Sequence, residues 1–286
     1  MTTVFERDLE IARQIQQSFL PATLPQVPGW EVATYFQPAR EVAGDFYDLF
    51  PMVQNRRIGL VIADVCDKGI AAALFMALCR SLLRAFAQQH YPVNWSDILE
   101  PDKGHQASDP LGGLTHFRRN QMPTIGTNAL KNAVTLTNNY LVENHGETNM
   151  FATLFFGVLD PTTGSLHYIN AGHNPPLICN HHGVKQLLAT TGPAIGLLPD
   201  SHFAIQQTEL APGDTLLAFT DGITEARNGA GHFFGEARLV TAVTQPAPTL
   251  TAVLTQLDQA RQAFIGTAEQ SDDVTLLAVQ RHLSPS

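Results

Sequence analysis

Apolar and polar positions along the chain alternate in blocks that read as separate elements. In residues 4–20, VFERDLEIARQIQQSFL, the side chains Phe5, Leu9, Ala12 and Phe19 fall on one face at three- and four-residue steps. That is the period of an amphipathic helix, although Gln16 interrupts the stripe. PATLPQVPG then ends the helix with three prolines in eight residues. Trp30–Pro51 reads as two strands, EVATYFQP and GDFYDLF, and Arg57–Ala63 as a third. Ile70–Gln89 is rich in Ala and Leu and predicts a helix; Leu130–Glu143 predicts another. Between them, residues 92–128 scatter Gly and Pro with no sustained period, which predicts a long irregular insertion. Strand patterns follow in ATLFFGVLD, SLHYINAG, PPLICN, DTLLAFTDG and DVTLLAVQR, with turn signals at Pro161–Gly164 and His182–Gly183. Leu250–Phe264 predicts a further helix. Strands and helices come in runs rather than alternating, so the expected class is α+β with mainly antiparallel sheets.

Composition narrows the function. With 286 residues and 44% hydrophobic side chains the chain can bury a large core. The net charge of −9 argues against a nucleic-acid partner, which needs a basic stripe. Cys66, Cys79 and Cys179 are an odd number without a CxxC pair, which fits a reducing, cytoplasmic setting. The longest apolar run, Ile70–Cys79, has ten residues where a span needs about 20. The expectation is therefore no membrane crossing. The start, MTTVFERDLE, lacks the apolar core of a signal peptide.

Candidate chemistry lies in carboxylates at strand ends. Asp45 opens the strand in EVAGDFYDLF, and Asp64 closes the one in LVIADVCDKG. Asp221 ends TLLAFTDG, and Asp272–Asp273 opens SDDVTLLAV. Any one of them has an ordinary explanation, because Asp is common at strand ends and helix caps. Together they are harder to dismiss. Apolar flanks imply partial burial, and unpaired buried carboxylates are costly. Hard cations such as Mg²⁺ and Mn²⁺ take oxygen ligands, and two of them sharing carboxylates can clamp and activate a water. The residue types suit phosphate-ester hydrolysis. Asp48 reads as a strand carboxylate, Asp214 as a turn residue, and Glu225 as support for the Asp221 loop. His181–His182 reads as a solvated turn and His173 as mainly structural. No GxxxxGK[ST], HExxH or GxSxG motif occurs.

Seven segments in order carry a resemblance: ARQIQQSFLPATLP, PAREVAGDFYDLF, GLVIADVCDKGIAAALFMA, FATLFFGVLDPTTGSLHYINAGHNPPL, GPAIGLL, LLAFTDGITEARN and SDDVTLLAV. The chain resembles the SpoIIE/RsbU-type bacterial serine/threonine phosphatase domains, a branch of the metal-dependent PPM (type 2C-like) phosphatases, from about Ala12 to Arg281. The resemblance implies a sandwich of two mainly antiparallel sheets flanked by helices, with an N-terminal regulatory helix and Pro-rich turn over 1–27 and the phosphatase domain over 28–283. It implies two Mn²⁺ or Mg²⁺ ions held by Asp45, Asp64, Asp221 and Asp272. Asp64 is then the bridging acid and Val65 supplies a backbone carbonyl; Asp273 is the alternative within its pair. Two departures stand out: Asp67 and Ala43 occupy positions where the family often carries Gly.

The function implied is dephosphorylation of phosphoserine or phosphothreonine on an anti-anti-sigma (STAS-type) partner-switching protein, by attack of metal-activated water. The alternatives are a small-molecule phosphoesterase on the same site and a non-catalytic signalling module. An upstream sensor domain or protein is implied, so the chain is either a short stand-alone enzyme or an excised domain. Residues 4–20 either pack on their own domain, or pair with a second copy in a homodimer, or continue a signalling helix.

Overall fold

The computed structural model describes residues 4–53, 55–89 and 125–283. Among the described residues ten strands form two five-stranded sheets, and every strand pair within them is antiparallel. In the first sheet, β1 (Trp30–Gln37) sits at one edge, followed by β10 (Val274–Arg281), β9 (Thr215–Phe219), β6 (Leu177–Asn180) and β7 (Gly183–Leu187). The second runs β2 (Phe46–Met52), β3 (Arg57–Val65), β4 (Ala152–Leu159), β5 (Ser165–Ala171) and β8 (Gln206–Glu209). The helices are α1 (Val4–Phe19), α2 (Ile70–Gln88), α3 (Ile125–His145), the single turn α4 (Asp221–Thr224), α5 (Gly235–Val243) and α6 (Leu250–Ile265).

The layering follows from the period of two in a strand. In β3, Ile58, Leu60 and Ile62 face the other sheet, meeting Leu216, Ala218, Leu277 and Val279. The alternate residues Val61, Ala63 and Val65 face Phe75, Met76, Cys79 and Leu83 of α2, and Leu130 and Val134 of α3. On the far side, Leu217, Phe219, Leu276 and Ala278 pack against Leu239 of α5 and Leu254 and Leu257 of α6. Strands covered on both faces lose the hydrophobic-in, polar-out alternation, and that is why GLVIADV reads as one apolar run.

Helix α2 is long and apolar enough for a membrane span by length and composition, beyond what its ten-residue apolar run suggested. Its setting is that of a core helix. Arg80 and Arg84 project from it onto the buried carboxylate of Asp48, with Arg84 Nη1 3.0 and 3.1 Å from the two oxygens and Arg80 Nε 3.1 Å from Oδ2. Asp48 thus ties α2 to β2, three residues beyond Asp45.

Several boundaries differ from the sequence reading. Most of the segment expected to be irregular at 92–128 lies outside the described residues, but 125–128 form the first turn of α3. Strands β7 and β8 and helix α5 went unpredicted. The residues of β7 and β8 are largely exposed and polar, so they carry no apolar signal.

Helix α1 also differs. The face carrying Leu9, Ala12 and Phe19 is turned toward the body of the protein, and Gln16, the apparent break in the stripe, is its most buried position among the described side chains. The side chain of Phe5 lies outside the described residues. Val4, Ile11 and Ile15 form the open apolar face, so of the alternatives for residues 4–20 the Leu9–Ala12–Phe19 face follows the one in which the helix packs on its own domain. Beyond the helix, Leu20, Leu24 and Val27 pack against the core between the sheets.

Candidate active site

Strand register brings the candidate acids to one rim. Phe46 pairs with Ala63, which sets Asp45 beside Asp64 at one end of the second sheet. Leu276 pairs with Phe219, which sets Asp221 beside the turn that carries Asp272 and Asp273. Two threonines join these ends across the sandwich. The hydroxyls of Thr220 and Thr275 both donate to Asp45 Oδ2, each at 2.7 Å. Neither threonine was singled out from the sequence; their only signal is that each lies within three residues of a rim acid.

Glycines permit the close approach. A Cβ on Gly222 would lie 1.9 Å from the carbonyl oxygen of Asp273, so the Asp221 turn can rest on the Asp272–Asp273 segment only with glycine there. A Cβ on Gly44 would lie 3.0 Å from the carbonyl oxygen of Val65 and 3.3 Å from Ala72 Cβ. The Val65 carbonyl is therefore adjacent to the backbone that leads into Asp45.

Both departures from the usual glycines have a local account. Asp67 adopts φ +70°, a left-handed conformation that Gly adopts freely and Asp tolerates, and its Oδ1 accepts the Lys68 N–H at 2.8 Å. Ala43 is fully buried and held by Gln16, whose Nε2 donates to the Ala43 carbonyl at 2.7 Å and whose Oε1 accepts its N–H at 2.9 Å. Helix α1 is thereby fastened two residues before Asp45.

Asp273 behaves differently from its neighbour. Its two oxygens accept the backbone N–H groups of Ala39 and Gly44, both at 2.8 Å. It clamps the 39–44 loop. Asp272 is more open: Oδ1 accepts the Asp273 N–H at 3.0 Å and Oδ2 pairs with Lys68 Nζ at 2.8 Å.

The acids perturb one another. Burial, then Asp221 and Asp272, raise the Asp64 carboxyl to about 7. Burial, then Asp272 and Glu225, raise Asp221 to about 6. Asp45 is pushed well up by burial first, then by Asp64 and Asp273, against the pull of the two threonine hydroxyls. Such a cluster is destabilising unless protonated or neutralised by cations. Among the described residues no set of three His, Cys, Asp or Glu side chains closes tightly enough to hold an ion by side chains alone. Small hard cations that keep several waters need only one or two carboxylates each, and the all-oxygen donor set of this rim fits such ions.

The histidines stand apart. His173 is buried and neutral, lowered to about 4 by desolvation, and its Nδ1 lies 2.8 Å from Thr153 Oγ1. Thr153 is the ladder partner of Asp64, so His173 backs that strand position. His181 and His182 lie exposed at the β6–β7 turn. Asp214 is a buried turn acid that accepts from Asn180 and Lys185.

The two-sheet architecture is that of the PP2C-like phosphatase domains. The model of the stage II sporulation protein E (SpoIIE) family matches residues 54–282. The chain belongs to that family, as a SpoIIE/RsbU-type member of the PPM phosphatase domains. It is 43% identical to protein IcfG of Synechocystis sp. (strain ATCC 27184 / PCC 6803 / Kazusa) over 275 residues, 96% of this chain and 42% of IcfG. Against phosphoserine phosphatase RsbU of Bacillus subtilis (strain 168), identity is 26% over 225 residues, 78% of this chain and 55% of RsbU. The SiaA-PP2C domain of Pseudomonas aeruginosa superposes with a TM-score of 0.71 at 18% identity, covering 96% of both chains. The chain thus spans about half the length of the curated relatives it matches.

Proposed function

We propose that this domain is a metal-dependent protein phosphatase that hydrolyses phosphoserine or phosphothreonine on a partner-switching protein of the STAS type. The observation that carries the reading is the convergence of Asp45, Asp64, Asp221 and Asp272 on one rim, where register, glycine contacts and two threonine hydroxyls assemble them from both sheets. In this reading the four acids, Asp64 among them, and the Val65 carbonyl would hold two Mn²⁺ or Mg²⁺ ions. Bound there, such ions lower the pKa of a coordinated water and neutralise charge on the phosphoryl group. The chain's own part is positional. Thr220 and Thr275 fix Asp45 Oδ2, Gly222 lets the Asp221 turn settle on the 272–273 segment, and Asp273 pins the loop that enters Asp45. No protein nucleophile is assigned; the nearby thiol of Cys66 is raised by its burial and stays protonated at neutral pH.

The protein substrate is supported by the similarity to RsbU, which is named a phosphoserine phosphatase. An upstream sensor is supported by the length of the relatives, which extends well beyond this chain. A homodimer through α1 would use Val4, Ile11 and Ile15. The test of function is Mn²⁺-dependent phosphate release from phosphorylated STAS-type proteins, run beside nucleotides and sugar phosphates. Turnover confined to the phosphoproteins supports the proposal. Turnover confined to the small esters replaces it with a small-molecule phosphoesterase, and no turnover on any substrate points to a binding module.

A further inference from the structure

The loop that joins β3 to α2 carries a charge whose position nothing so far explains. Cys66–Gly69 leaves Asp64 and Val65 through left-handed turns at Asp67, φ +70°, and Gly69, φ +82°. Between them Lys68 reaches across the rim to the other sheet. Its Nζ lies 2.8 Å from Asp272 Oδ2 and donates to the Ser271 carbonyl at 2.6 Å. Both ends of this pair are only about one-third exposed, 35% and 37%. Lys68 thus connects the Asp64 loop to the Asp272 turn, with its ammonium among the acids.

We propose that Lys68 is a tethered counter-cation of Asp272 that competes with the divalent ion for the same carboxylate and so sets the metal affinity of the site. The inference rests on the reading of Asp272 as a metal ligand. With Oδ1 engaged by the Asp273 N–H and Oδ2 by Lys68, an ion approaching Asp272 meets an ammonium already on one of its two oxygens. Two cations on one carboxylate oxygen repel strongly where water is partly excluded, so the ion binds as Lys68 swings away. Removing the ammonium therefore leaves a more negative, less shielded rim. That rim holds a divalent cation more tightly and is less stable without one. A lysine that merely braced the loop would behave oppositely, since its loss would disorder the ligands and weaken metal binding.

Mn²⁺ binding to the intact chain, measured by calorimetry with Lys68→Met and Lys68→Arg beside the unaltered protein, tests this. A partly exposed pair is worth about 1 kcal/mol or less, so the expected change is small but resolvable. Lys68→Met should tighten Mn²⁺ binding by about three- to fivefold and lower the melting temperature measured in a chelator. Lys68→Arg should stay close to the unaltered protein in both. Unchanged or weakened Mn²⁺ binding in Lys68→Met overturns the inference. Failure of the unaltered protein to bind Mn²⁺ would instead remove the metal-site reading on which it stands.

Discussion

Asp64→Asn separates the electrostatics of the acid cluster from its packing. The substitution keeps the shape of the side chain and deletes one charge. Asp64 has an ordinary value of 3.8 and is raised to about 7 in the folded protein. A carboxyl with a raised folded-state value binds its proton more tightly in the native state. Stability without metal therefore falls as pH rises from about 4 through about 7, and the full penalty is present above that. Between pH 5 and pH 7 the shift spans about two units, or about 3 kcal/mol at 1.36 kcal/mol per unit. Urea unfolding in a chelator, at pH 5 and at pH 8, reads this directly. The advantage of Asp64→Asn over the unaltered protein should grow by about 2–3 kcal/mol between the two pH values. With saturating Mn²⁺ the order should reverse, because the unaltered protein gains binding energy that the variant has lost. A stability gap that is the same at both pH values, or a variant less stable at pH 8, would refute the reasoning.

Three further substitutions probe the supports of the site. Gln16→Ala removes two hydrogen bonds to Ala43 and should lower stability by about 1–3 kcal/mol; a Mn²⁺ titration should show weakened affinity although every rim acid is intact. Gly222→Ala drives a methyl into the Asp273 carbonyl and should cut Mn²⁺-dependent turnover by 100-fold or more, on the order of the effect of a misplacement of about 1 Å, as steady-state kinetics would show. Asp48→Ala leaves Arg80 and Arg84 facing a partly buried gap and should destabilise the fold by about 3 kcal/mol or more in chemical unfolding, while simultaneous replacement of both arginines by Met should recover part of that loss.

Much of this was legible in the chain because burial and close approach leave marks in local sequence. The strands that form the shared core are apolar on both faces, so their existence and approximate limits were readable. Acids at the ends of such strands are conspicuous because an apolar run gives no local reason for a charge. What the sequence could not reveal was set by contacts between distant segments. Thr220, just past the end of β9, and Thr275, within β10, are ordinary residues until the two sheets meet at Asp45. Gln16 looked like a flaw in an apolar stripe, yet it is the residue that attaches α1 to the Asp45 loop, and only that contact shows that the striped face is docked on its own domain. Asp272 and Asp273 are indistinguishable by spacing, and only the amides of Ala39 and Gly44 show that Asp273 fastens a loop. Strands β7 and β8 are exposed edges whose polar residues carry no period that an apolar pattern could reveal.

The central claim is that four acids from two sheets form a two-ion site. Diffraction from crystals grown in MnCl₂, with anomalous data collected at the manganese edge, tests it most directly. Two anomalous peaks are predicted at the rim, with Asp64 reaching both and Asp45, Asp221, Asp272 and the Val65 carbonyl completing the protein ligands. Well-diffracting crystals with no peak at that rim, or with manganese bound only elsewhere, would contradict the account.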